Sequence, residues 1–132
     1  MSLQITWQQD LQFQATNEQG HSINIDADSQ TAPCPTEMLL SALGSCSATD
    51  VIMGLQEAGA KISSFTNTLT YELTDDEPRL YKSVNLHFSV KGEDVTEESI
   101  ETAADNAINK YCHVCLMLQP QIVLSYSYDV SV

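Results

Sequence analysis

Residues 33–59, P-C-P-T-E-M-L-L-S-A-L-G-S-C-S-A-T-D-V-I-M-G-L-Q-E-A-G, constrain this chain more than any other stretch. Met38, Leu39, Leu40, Ala42, Leu43, Cys46, Ala48, Val51, Ile52, Met53 and Leu55 fall on nearly every side of a helix with 3.6 residues per turn. A helix apolar on all sides requires cover on all sides. Proline in a first turn sacrifices nothing, because the N–H groups there have no helical partner, and Gly59 stands where a left-handed cap ends a helix. Only Glu37, Asp50 and Glu57 carry charge within it. The stretch therefore reads as one buried central helix of about six turns. It carries more apolar surface than a 132-residue chain covers easily, and a second copy of the protein would supply the rest.

The flanks read as strands. Leu3, Ile5 and Trp7 alternate with polar residues, as do Leu11, Phe13 and Ala15, and then Ile23 and Ile25 beyond a turn at residues 17–20. After the helix, Phe65, Leu69, Tyr71 and Leu73 alternate with threonines and a glutamate. The acidic turn Asp75, Asp76, Glu77, Pro78 then leads into Val84, Leu86, Phe88 and Val90, which predicts a hairpin. Thr96 is placed to cap a second helix, with Glu97 and Glu98 at its positive end and an apolar face at Ile100, Ala103, Ala104, Ala107, Ile108 and Tyr111. Residues 112–118 either continue that helix or form a separate turn before Pro120. Ile122, Leu124, Tyr126, Tyr128 and Val130 alternate in a last strand. The order βββ-α-ββ-α-β is that of an α+β fold with two helices on mostly antiparallel strands, in one domain over residues 1–132.

Five Lys or Arg against eighteen Asp or Glu give a net charge of −13, which repels phosphate backbones and anionic lipid. Neither nucleic acid nor a membrane is expected as a partner. The apolar window is interrupted by Asp50, glycines and hydroxyl residues, and M-S-L-Q-I-T-W lacks the basic and apolar regions of a signal peptide, so a soluble cytoplasmic protein is expected. Four cysteines, Cys34, Cys46, Cys112 and Cys115, are too few and too unevenly spaced for a secreted disulfide scaffold and should rest as thiols in a reducing compartment.

On spacing alone, Cys46 is first of all a core cysteine. Its neighbours Gly44 and Ser45 are small enough for a substrate to approach, whereas Asp50, one turn later on the same side, disfavours a thiolate. Cys112-His113-Val114-Cys115 is a C-x-x-C that follows a helix, whereas the thioredoxin type opens a helix after a strand. His21, His87, Cys34 and Cys46 show no paired spacing for zinc, so no metal or cofactor is expected. His87, on the polar face of a strand, reads as solvated. Glu37 and Asp50 lie about 20 Å apart along a continuous helix at 1.5 Å per residue and form no acid/base dyad. Arg79, the only arginine, reads as a surface turn residue.

Three stretches together, P-T-E-M-L-L-S-A-L-G-S-C-S-A-T-D-V, P-R-L-Y-K-S-V-N-L-H-F-S-V-K-G and K-Y-C-H-V-C-L-M-L, resemble the OsmC/Ohr family, most closely its small YhfA-like branch. The resemblance implies an OsmC-like intertwined homodimer with the cysteine-bearing helices packed centrally. It further implies reduction of a small organic hydroperoxide with reducing equivalents from a dithiol, in some members a dihydrolipoyl group. Cys46 matches the peroxidatic cysteine of that family, Cys112 the resolving cysteine, and Glu37 the glutamate that helps hold an active-site arginine. Two departures stand out. Cys112 is followed by His113-Val114 where the family commonly has Pro-Val, with Cys115 as an alternative resolving thiol, and residues 1–78 contain no arginine, leaving only Arg79 to stand in. The alternative function is a non-catalytic OsmC-like dimer that binds a small apolar ligand or senses oxidation through its thiols.

Overall fold

The computed structural model describes all 132 residues, in two compact units, Met1–Ser41 and Ala42–Val132. In the first, β1 (Leu3–Gln9), β2 (Gln12–Asn17) and β3 (Ser22–Asp26) form an antiparallel sheet in the order β1-β2-β3. Ile5 stands opposite Ala15, Trp7 opposite Phe13, Phe13 opposite Ile25 and Ala15 opposite Ile23. Directly paired residues share a face, so the alternating pattern gathers the apolar side chains of all three strands on one side of the sheet. The β2–β3 turn is closed by the Asn17 side-chain oxygen, which accepts from the N–H groups of Gln19 and His21 at 3.0 Å each.

The polar loop after β3 is organised by Asp26, which is buried. Its carboxylate accepts from the N–H groups of Asp28 at 2.9 Å, Gln30 at 3.1 Å and Thr31 at 3.0 Å, and from the Thr31 hydroxyl at 3.0 Å. These donors, the Asp28 N–H foremost, hold its pKa below the ordinary value against the cost of burial.

Helix α1 (Pro35–Glu57) ends at Gly59, whose φ of +96° is the left-handed conformation that a glycine cap supplies. By length and composition it is long and apolar enough to cross a bilayer, a test that core helices also pass. In the second unit its buried residues, Leu43, Gly44, Ser47, Val51 and Leu55, form a single stripe. A Cβ on Gly44 would stand 3.0 Å from Leu69 Cδ1 and one on Gly54 3.1 Å from Ala103 Cβ, so small residues set the close approach of α1 to its neighbours. The Asn67 amide, on the inner face of the sheet, donates to the Gly44 carbonyl at 3.0 Å and to Ser47 Oγ at 3.2 Å. The apolar pattern predicts cover on both sides; within one chain only this stripe is fully buried, Met38, Leu40, Cys46, Ala48 and Ile52 are half-buried, and Leu39 and Met53 remain 39% and 53% exposed.

The sheet of the second unit has the order β4-β5-β6, with β4 (Lys61–Leu73) and β5 (Tyr81–Glu93) as the expected hairpin. Strand β6 (Val123–Ser131) pairs with β5 in parallel, because the helical connection between them carries the chain back to its starting end. The alternating Val84, Leu86, Phe88 and Val90 are buried together with Ile100, Ala104 and Ile108 of the connection. Helix α2 (Glu97–Asn106) starts in a reciprocal cap between Thr96 and Ser99, as the sequence predicts for Thr96.

Two local expectations are corrected. The helical face expected to run through Tyr111 ends earlier: residues Ala107–Tyr111 form a π-helical turn, in which the Cys112 N–H reaches back five residues to Ala107 O at 2.8 Å. The extra residue in that turn rotates the chain beyond it to a new facing, and Tyr111 is 58% exposed rather than part of the core. Residues 113–118 are a separate short helix, α3 (His113–Leu118). His87, expected to be solvated, has partners on both ring nitrogens: Nδ1 lies 2.6 Å from Ser127 Oγ and Nε2 2.7 Å from Asp129 Oδ2. That contact, with Ser89, holds the Asp129 carboxyl below the usual aspartate value.

Candidate thiol site

Cys46 and Asp50 stand one turn apart on α1, on the same side, and both are half-buried. Cys112 comes to them from the far end of the sequence. The π-helical turn ends at Cys112, whose backbone is extended (φ −69°, ψ 111°), and α3 starts immediately after it. The Cys115 N–H donates to Cys112 Sγ at 3.3 Å, so this sulfur also serves as the cap of α3. The two sulfurs of Cys46 and Cys112 and a carboxylate oxygen of Asp50 all lie within 4.8 Å of one another.

Burial sets the electrostatics of the inner thiols. It pushes the Cys112 pKa up, with the neighbouring Cys46 adding to the rise and the Cys115 N–H opposing it. Burial likewise pushes Cys115 well above the ordinary thiol range, and Cys112 adds to it. Cys115 is fully buried and is not part of the group formed by Cys46, Asp50 and Cys112.

An open pocket of about 590 Å³ lies over this group, lined by Cys46, Thr49, Asp50, Met53, Gly54, Glu57, Tyr111 and His113. No Lys or Arg is among these residues. A second pocket, of about 550 Å³, shares Asp50, Gly54, Glu57 and Tyr111 with it. Asp50 was legible from its one-turn spacing to Cys46, but the arrival of Tyr111 and His113 at the pocket was not. They are brought there by the widened turn and the start of α3.

Glu37 lies in the first unit, in the first turn of α1. Its carboxylate accepts from the Cys34 N–H at 3.2 Å, which holds its pKa below the usual glutamate value. This is half of a capping box, with the acid reaching back to the residue before the helix. Arg79, the one available arginine, donates its Nε–H to the Thr74 carbonyl at 3.2 Å in the β4–β5 turn and is exposed.

Chemically, the pair of sulfurs can be oxidised to a disulfide. Closing from at most 4.8 Å to the bond length of about 2.05 Å asks for a movement of under about 3 Å, within reach of cysteine side-chain rotation and small backbone shifts.

Residues 27–127 match the family described as OsmC-like protein. Protein YhfA of Escherichia coli K12 is 37% identical over 131 residues, covering 98% of each chain. Among solved structures, an OsmC-like protein from Mycoplasma pneumoniae superposes with a TM-score of 0.83 at 17% identity, over 99% of this chain and 96% of that one. The organic hydroperoxide resistance protein OhrB of Bacillus subtilis superposes with a TM-score of 0.64 at 15% identity, over 98% of both. At those identities the two structures speak for the fold.

Proposed function

Because the chain belongs to the OsmC-like protein family, we propose that it is a thiol-dependent redox protein that reduces organic hydroperoxides, with Cys46 as nucleophile and Cys112 as resolving thiol. The observation that carries this reading is the meeting of the two sulfurs, distant in sequence, within 4.8 Å beside an open pocket. Cys46 is the one with access: it lines the pocket, whereas Cys112 is buried behind it. In the reaction the Cys46 sulfur, as thiolate, attacks the peroxide and the O–O bond breaks. The departing alkoxide takes a proton and leaves as alcohol, and the sulfur is left as a sulfenic acid. Cys112 then attacks that sulfur, water leaves, and a disulfide forms. An external dithiol returns both sulfurs to thiols by exchange and is itself oxidised.

The apolar walls supplied by Met53 and Tyr111 suit a hydroperoxide with an organic tail. Glu37 supports the site from the start of α1, by fixing the helix end through the Cys34 N–H. We take residues 1–132 as one OsmC-like domain, since the family match runs through the division between the two units. Its working form is a homodimer. The uncovered apolar residues of α1 and the exposed Leu3, Ile5 and Trp7 of the first sheet are the surfaces it would cover.

The test is stoichiometric oxidation. One equivalent of cumene hydroperoxide per reduced protomer should yield a Cys46–Cys112 disulfide in peptide mass mapping. A Cys112–Cys115 disulfide, or unchanged thiols, would contradict the assignment. A second reading, a non-catalytic dimer that binds a small apolar ligand or senses oxidation, is favoured by one observation. The pocket holds Asp50 and Glu57 beside Cys46 and no Lys or Arg, so nothing cationic promotes the thiolate there.

A further inference from the structure

The same pocket poses an electrostatic problem that peroxide reduction leaves open. Asp50 places a carboxylate within 4.8 Å of two sulfurs, and Glu57 lines the same pocket without any Lys or Arg to balance it. In a redox site that relies on a thiolate, such an arrangement is unfavourable, because each negative charge opposes the next. It becomes favourable when a divalent cation sits among the three donors.

We propose that Cys46, Cys112 and Asp50 form a binding site for a borderline-soft divalent cation of the zinc type. The donor set decides the class of metal: two thiolates with one carboxylate select zinc-like ions over calcium or magnesium, which take oxygen ligands. The geometry is close to what such an ion needs. With metal–sulfur bonds of about 2.3 Å and a metal–oxygen bond of about 2.0–2.2 Å, tetrahedral donors stand about 3.5–3.8 Å apart. From separations of at most 4.8 Å, the three donors close in by about 1 Å.

His113 lines the adjoining pocket but is not among the donors within 4.8 Å of one another, so a water from the pocket would complete the tetrahedron. Each thiol gives its proton to solvent as it ligates. The excess of acidic residues over the whole chain, with a net charge of −13, raises the local concentration of cations around the site. Spacing could not reveal the site, because Cys112 joins the Cys46–Asp50 turn only through the fold.

This site does not depend on peroxide turnover, and its test reads binding alone. Reduced, metal-free protein is titrated with Co²⁺ under anaerobic conditions, the near-ultraviolet thiolate-to-cobalt charge-transfer band being followed, and Zn²⁺ is then added as competitor. One ion per protomer is expected, with a band intensity corresponding to two thiolates, and stoichiometric displacement by Zn²⁺. The band should vanish or halve in Cys46→Ser and in Cys112→Ser, persist in Cys34→Ser, and require at least tenfold more Co²⁺ in Asp50→Asn. Oxidation of the protein to the disulfide should abolish it. No charge-transfer band in the native protein, a band unchanged in Cys46→Ser, or unaltered affinity in Asp50→Asn would each overturn the proposal. Circular dichroism of each variant separates a lost site from a lost fold, and Asp50→Asn, nearly isosteric at a half-buried position, keeps the test open if a cysteine variant unfolds.

Discussion

At Cys112 burial opposes ionisation, whereas Cys46 faces a pocket, and this difference predicts an order of reaction. Iodoacetamide at neutral pH should modify Cys46 before Cys112 and Cys115, by at least an order of magnitude in rate for the fully buried pair. Peptide mapping of a time course checks this, and prior labelling of Cys115 would contradict it. Asp26 yields a second expectation at this scale. Its folded pKa lies below the ordinary 3.8, so its ionised form contributes stability above about pH 4, and that contribution is lost as the pH falls through the folded value. Asp26→Asn should therefore lower the melting temperature at pH 7 and flatten its decline on acidification, as read by thermal melts across that range. At the candidate site, the one-turn spacing of Cys46 and Asp50 was readable from the chain. The pairing with Cys112 was readable only through family resemblance, because no local rule joins residues so distant in sequence. The stereochemistry of the Asp26 loop was not legible, because an aspartate in a polar loop does not announce four donors.

The elements repeat the same division. Strand alternation and the caps at Thr96 and Gly59 were legible because period, cap chemistry and left-handed glycine are local properties. The π-helical turn at Ala107–Tyr111 was not, since its residues keep a regular helical spacing and only tertiary packing makes Cys112 reach back five residues. The same turn is what brings Tyr111 to the pocket. Gly92 marks another constraint that sequence alone hides. It sits opposite Ile62 at the irregular start of the β4–β5 ladder, and a Cβ there would collide with the backbone carbonyl oxygen of Lys61. Because the obstacle is main chain, Gly92→Ala should destabilise the protein by about 1–3 kcal/mol. Urea unfolding would show it as a lower midpoint at unchanged slope, and an unshifted midpoint would mean that the ladder yields freely.

For the whole molecule, the apolar surface of the first sheet is the most consequential feature. Leu3, Ile5 and Trp7 are 63%, 55% and 64% exposed on one face, far more than scattered surface residues require. If a second copy covers this face, Ile5→Asp or Trp7→Asp should convert a dimer into a monomer in sedimentation velocity. A native protein that already sediments as a monomer would refute the dimer. Peroxide reduction stands or falls on turnover. The decisive experiment is steady-state consumption of cumene hydroperoxide with dihydrolipoamide as donor, in the native protein beside Cys46→Ser and Cys112→Ser. Many turnovers per protomer are predicted for the native protein, none above background for Cys46→Ser, and for Cys112→Ser a single burst that leaves a trappable sulfenic acid. Turnover retained in Cys46→Ser, or no consumption by the native protein, would contradict a peroxidase built on these two thiols.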